Sequence, residues 1–253
     1  MRFDQPVLAV ALLLTTLTAA ADELNVAVAA NFYGTLQKLA PAFEQKTGNR
    51  LVLSSGSSGQ FYTQIREGAP FDVLLSADSE RPRQLEADGL GVAGSRCTYA
   101  IGTLVLWSPQ AARVDPAGKV LTEGRFRMLG IADPHLAPYG AAAQQVLEKL
   151  GLWDTLNRDR KLATGENINQ TWQFAVTGNV DMAFVALSQV TDGRRISGSY
   201  WLPPQSLYQP LAQDAVILTR TARRAAAAAF LAWLRQDPDA LAAIRAAGYR
   251  VKE

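Results

Sequence analysis

The chain of 253 residues has one cysteine, Cys97, and one histidine, His135. A lone cysteine excludes an internal disulfide. Two such residues are also too few for a structural zinc site, which takes four nitrogen or sulfur ligands. A thiol nucleophile needs a base beside it, and His135 is the sole imidazole, so Cys97 is expected to be a small buried side chain. Charge is scarce as well: Asp, Glu, Lys and Arg make up 19% of the residues, the formal net charge is +2, and no basic block occurs. Nucleic acid or an anionic membrane surface would call for clustered Lys and Arg. Enzyme signatures are missing too. Gly56-Ser57-Ser58-Gly59 lacks the spacing of a nucleophile elbow, no Ser-x-x-Lys occurs, and no Gly-Lys-Ser/Thr follows the glycines as in a P-loop.

Only one apolar run stands out, at the N-terminus. Arg2 precedes the stretch from Val7 to Leu17, and Ala19-Ala20-Ala21 follows it. The run is shorter than the about 20 residues of a membrane-spanning helix. A charged start, a short apolar centre and small residues at the end describe a secretory signal cleaved after Ala21. No cysteine follows that could carry a lipid anchor. The mature chain, from Asp22, is expected in the periplasm with no membrane insertion.

What remains alternates strand and helix. Leu24–Ala29 is an expected strand before a helix from about Phe32 to Thr47, and Arg50–Leu53 one before the turn Ser54–Gly59 and a helix through Glu67. Phe71–Ser76 precedes a helix from Ser79 to Asp88. Further on come strands at Thr103–Trp107 and Met128–Ile131, a helix Tyr139–Leu150, a short strand Lys161–Ala163, a helix Asn169–Thr177 and the apolar strand Val180–Ala186. Ala215–Leu218 and two helices, about Ala222–Arg235 and Pro238–Ala247, close the chain. Such alternation implies parallel sheets with crossover helices. The fold class is α/β in two lobes: residues 22–101 with 214–253, and residues 102–213. Crossings near Gly102 and Gln213 form the hinge, and the C-terminal helices return to the first lobe.

In open parallel sheets, ligands sit beyond the carboxyl ends of strands. The turns there are rich in Gly, Ser and Asn and poor in charge. Ala29-Ala30-Asn31 opens the first helix, with Asn31 placed to cap it. Ser54–Gly59 opens the second; its glycines allow close backbone approach, and its serines add hydroxyls beside free N–H groups. Pro138-Tyr139-Gly140 and Gly165-Glu166-Asn167-Ile168-Asn169 open helices in the second lobe. Together the four suggest hydrogen-bond donors converging on a small anion between the lobes.

These residues resemble the periplasmic molybdate-binding proteins of ABC importers, over the whole mature chain. Ala29-Ala30-Asn31-Phe32 looks like the family's opening turn. Ser54–Gly59, then Gln64-Ile65, Gly68-Ala69-Pro70 and Ser76-Ala77-Asp78, match its most distinctive stretch. Ala132-Asp133-Pro134, Ala137–Gly140, Leu150-Gly151-Leu152-Trp153-Asp154 and Ala247-Gly248-Tyr249 follow the later pattern. The resemblance implies a type II periplasmic-binding-protein fold and no catalysis. It implies molybdate or tungstate as ligand, without a cofactor and without side chains ligating the molybdenum itself. The partners it implies are an importer's permease and ATPase, with the binding protein a monomer. It also implies ligand contacts from Asn31, Ser58, Tyr139 and Ile168, the last through its N–H, with Ala30 adjacent. Many members carry a binding tyrosine where this sequence has Ala186, and Tyr139 would take that role from another position.

Charge chemistry agrees with the resemblance. Molybdate is a fully deprotonated dianion at neutral pH and needs donors only. Phosphate carries a proton and needs an acceptor, for which Asp133 and Glu166 are the nearest candidates in sequence. Sulfate or another tetrahedral oxyanion is the alternative ligand. A serine hydrolase would require His135 beside Ser57 or Ser58, and a sensor lobe would signal to a partner without feeding a transporter.

Overall fold

The computed structural model describes residues 22–193 and 195–251; the expected signal, residues 1–21, lies outside them. Strand β1 (Glu23–Ala29) runs straight into helix α1 (Ala30–Thr47). Phe32, Leu36, Leu39, Ala40 and Phe43 of α1 recur at helical spacing and are all buried. The helix stops at Gly48, whose φ of 75° is left-handed and whose N–H returns to the Glu44 carbonyl. Strand β2 (Arg50–Gly56), α2 (Ser58–Arg66), β3 (Val73–Leu75) and α3 (Glu80–Ala87) repeat the unit. Ser54 and Ser55 lie in β2, paired with Ala27 and Val28, rather than in the turn where the sequence put them. Their neighbour β1 supplies ladder partners along its full length, which extends β2 as far as Gly56.

Strands β4 (Cys97–Gly102) and β5 (Leu104–Ser108) are separated by Thr103 alone, yet sit in different sheets. The chain therefore crosses at Gly102 to Leu104. Next come α4 (Lys119–Glu123), β6 (Leu129–Ala132), α5 (Pro138–Lys149), α6 (Trp153–Arg158), β7 (Leu162–Gly165) and α7 (Ile168–Val176). After β8 (Met182–Ala186), α8 (Leu187–Val190) and β9 (Ser199–Trp201), the chain returns as β10 (Leu211–Ile217), then α9 (Arg224–Gln236) and α10 (Pro238–Ala246). Gln213, near which the sequence placed the return, is the third residue of β10, already paired in the first sheet with Ala100.

The sheet orders are β2-β1-β3-β10-β4 and β7-β6-β8-β5-β9. In each, one strand runs against the other four: β10 in the first and β5 in the second. The sequence led us to expect parallel-rich sheets, and each sheet has this single opposed strand. The opposing strand is in both cases the one on which the chain arrives from the other sheet. It comes without a crossover helix, and only antiparallel pairing dispenses with one.

Each sheet has its own core. Leu24, Val26 and Val28 pack with Phe32 and Phe43, and with Phe230 and Trp233 of α9; the Phe43 and Phe230 rings meet edge to face at 5.2 Å. The C-terminal helices thus cover the first sheet, as expected. On the second, Leu104, Leu106, Ile131 and Phe184 pack with Val146 and Leu147 of α5. Cys97 is half-buried at the head of β4 rather than enclosed, because β4 lies at the sheet edge. Among the described residues no helix is long and apolar enough to cross a membrane.

Candidate functional site

The first turns of α1, α2, α5 and α7 face one chamber between the sheets. Its cavity volume is about 10 Å³, far below the roughly 300–1,000 Å³ of sites for drug-sized molecules. Ala30, Asn31, Ser58, Tyr139 and Ile168 all line it, together with Ala29, Gly56, Ser57, Ala77, Ala137, Pro138 and Asn167. None of these side chains is charged. The five residues chosen from the sequence are thereby brought together, three from the first-sheet side and two from the second.

A count of backbone donors shows what the chamber offers, since the first N–H groups of a helix have no carbonyl within it to reach. In α2, Ser57 Oγ accepts from Gln60 N at 3.3 Å and Gln60 Oε1 accepts from Ser57 N at 3.1 Å, a reciprocal cap. Gly59 N donates to the Leu136 carbonyl at 2.9 Å. The Ser58 N–H is left over. Ser58 Oγ accepts from Ala77 N at 2.9 Å, so the hydroxyl proton is also available. In α7, Asn167 Oδ1 accepts from Asn169 N and Gln170 N at 3.0 and 3.1 Å, leaving the Ile168 N–H. In α5, Pro138 at the first position has no N–H to satisfy, and Tyr139 follows it.

At α1 the structure corrects the sequence reading. Ala29, not Asn31, is the N-cap, because helical geometry begins at Ala30, directly beyond the paired end of β1. The Asn31 side chain turns instead into a buried network: Nδ2 donates to Gln213 Oε1 at 2.9 Å and to Tyr249 Oη at 3.1 Å. What α1 presents to the chamber is therefore the first-turn N–H groups at Ala30 and Asn31, while the Asn31 amide holds that turn in place.

Tyr139 is 1% exposed and its Oη accepts from Gln213 Nε2 at 3.2 Å. Burial, with the Tyr249 phenol nearby, pushes its pKa well above the ordinary 10. The phenol stays protonated and remains a donor. Ala186 is fully buried in the same apolar cluster as Tyr139.

No carboxylate or imidazole belongs to the lining. Asp133 Oδ1 accepts from His135 N at 2.8 Å, and Glu166 is exposed. Asp78 is paired with Arg81. The His135 side chain is exposed and lies outside the lining, so Ser57 and Ser58 have no base there. Among the described residues no group of three or more His, Cys, Asp or Glu is placed to hold a metal. Four helix N-termini, each a partial positive charge, surround a space that offers hydrogen-bond donors and no carboxylate.

Both sides of the chamber also touch each other directly. Besides the Gly59–Leu136 bond, Arg81 Nη2 donates to the His135 carbonyl at 2.8 Å and Ser188 Oγ to the Asn31 carbonyl at 3.0 Å. Sequence reasoning missed Gln213, Tyr99 and Ser188, and used Tyr249 only as part of a motif. The available signal for Gln213 was the polar pair Gln213-Asp214 inside the otherwise apolar stretch Leu211–Leu218.

Comparison with known proteins agrees with this geometry. The family model for bacterial extracellular solute-binding proteins matches residues 24–250. The molybdate-binding protein of Rhodobacter capsulatus is 50% identical over 92% of this chain and 90% of its own length. That of Azotobacter vinelandii is 50% identical over 91% of each. The solved structure of the Azotobacter vinelandii periplasmic molybdate-binding protein superposes with a TM-score of 0.88 at 44% identity, covering 91% of this chain and all of that one.

Proposed function

This chain belongs to the bacterial extracellular solute-binding proteins, and we propose that the solute it captures is molybdate, with tungstate as an equivalent. It has the type II binding-protein fold and is a binding protein, not an enzyme. The observation that carries the ligand assignment is the chamber whose lining bears no charge and no carboxylate, and whose Ser58 and Tyr139 hydroxyls already accept from the protein and keep their protons to donate. A dianion there loses its water. Hydrogen bonds to it are charge-assisted, at roughly 1.5–3 kcal/mol each, and several of them offset that desolvation. Backbone N–H groups fixed in helix turns need no reorganisation to point at it.

In this reading Ser58 and the N–H groups at Ala30 and Asn31 hold the anion from one lobe, residues 22–101 with 214–253. Tyr139 and the Ile168 N–H hold it from the other, residues 102–213. The protein works as a monomer released by cleavage after Ala21 and delivers its anion to the permease and ATPase of an ABC importer. Ligand at about 1,000 times its dissociation constant adds roughly 4 kcal/mol of stability, read as a rise in melting temperature. Equal rises with sulfate and molybdate at matched concentration would remove molybdate as the assigned solute, because sulfate shares its full deprotonation and differs in size.

A further inference from the structure

Resting on that assignment, we propose that Gln213 is a specificity-determining positioning residue: it fixes the Tyr139 phenol as a donor toward the chamber. Gln213 is fully buried where β10 enters the first sheet, and it does not line the chamber. Its amide joins the groups that do. Oε1 accepts from Asn31 Nδ2 at 2.9 Å and lies 3.0 Å from Tyr99 Oη, while Nε2 donates to Tyr139 Oη at 3.2 Å. The pairing of β10 with β4 shifts register between Gln213 and Asp214, passing from Ala100 to Thr98 and skipping Tyr99. Such a bulge re-aims side chains, and here it sets Tyr99 against the Gln213 amide. Gly102 leaves room for the pair. A Cβ there would fall 2.6 Å from Gln213 Nε2 and closer still to Tyr139 Oη.

The orientation of this amide decides what the phenol can do. A phenol donates one hydrogen bond and accepts others. With Nε2 donating to it, its lone pairs are partly taken up and its proton is left for the anion. Turned the other way, Oε1 would draw that proton away from the chamber. Without any amide, the phenol could rotate and accept the proton of a hydrogen phosphate. Gln213 thus acts on affinity for a deprotonated dianion and on rejection of a protonated one. It does so without touching either.

Molybdate and phosphate titrations of Gln213→Met, in the parent and in a Tyr139→Phe background, test this. In the parent background the variant should lose about tenfold in molybdate affinity, and its preference for molybdate over phosphate should narrow. In the Tyr139→Phe background the same change should cost little, since the phenol through which it acts is gone. Equal losses in both backgrounds would overturn the proposal and make Gln213 a structural residue only, and so would no loss in either. If the apolar variant does not fold, Gln213→Asn keeps an amide with a shorter reach and gives the same comparison. Failure of the parent protein to bind molybdate would instead refute the ligand assignment.

Discussion

Asn31 shows how a residue can be well chosen and its role misread. Its type and position at a strand end marked it for the site, and short-range rules made it a cap. The structure gives its side chain to Gln213, 182 positions away, and Tyr249, 218 positions away, partners that no local pattern reveals. The turns that carry Ser58, Tyr139 and Ile168 were legible because each opens a helix after a strand, while the choice of those three residues within them came from the family resemblance. The Ser58 and Tyr139 hydroxyls are alike in what they offer the anion. In the proposed complex each would donate one hydrogen bond to a charged oxygen, worth roughly 1.5–3 kcal/mol. Ser58→Ala and Tyr139→Phe should each weaken molybdate binding about tenfold to a hundredfold. A Tyr139→Phe protein that binds like the parent would make Tyr139 a helix-end aromatic and leave the alanine at 186 without compensation.

Strands and helices with strong periodicity, such as β1, α1 and α5, were readable from apolar spacing. Strands β4 and β9 and the short helices α4, α6 and α8 were not. β9 is three residues long and α8 four, too short to show a period. The antiparallel strands were hidden because period-2 patterning fixes a strand but not its direction. Between elements, the contact of α2 with the turn before α5 is the one most open to test. Gly59 donates to the Leu136 carbonyl, and a Cβ on Gly59 would lie 2.9 Å from that oxygen and 3.0 Å from Leu136 Cα. Gly59→Ala should therefore hold the two sides apart, weaken molybdate binding and leave the ligand-free protein as stable as the parent. Small-angle scattering should show the variant remaining expanded at molybdate levels that compact the parent. Unchanged affinity would show that this contact does not take part in closing the chamber.

For the molecule as a whole, two sheets were legible, as was a crossing near Gly102, because the alternation of strands and helices runs the length of the chain. The buried hydroxyl network joining the sheets was not, yet it has a consequence for stability. Tyr99, Tyr139 and Tyr249 are fully buried, and burial foremost raises all three above the ordinary 10. The folded protein keeps protons that the unfolded chain releases. Stability is full below about pH 10 and falls as pH rises past it, by about 1.4 kcal/mol per pH unit for each phenol still protonated. Denaturation between pH 8 and 11 should show this fall, and Tyr249→Phe should make it shallower. An equal slope in that variant would mean that Tyr249 ionises within the fold.

The claim on which the rest depends is that the chamber recognises an anion by donors alone. Calorimetric titration of the mature protein at neutral pH with molybdate, tungstate and phosphate tests it most directly. Molybdate and tungstate should bind tightly, one per chain, and phosphate should give no measurable binding at the same concentrations. Phosphate bound as tightly as molybdate would require an acceptor in the chamber and contradict the account.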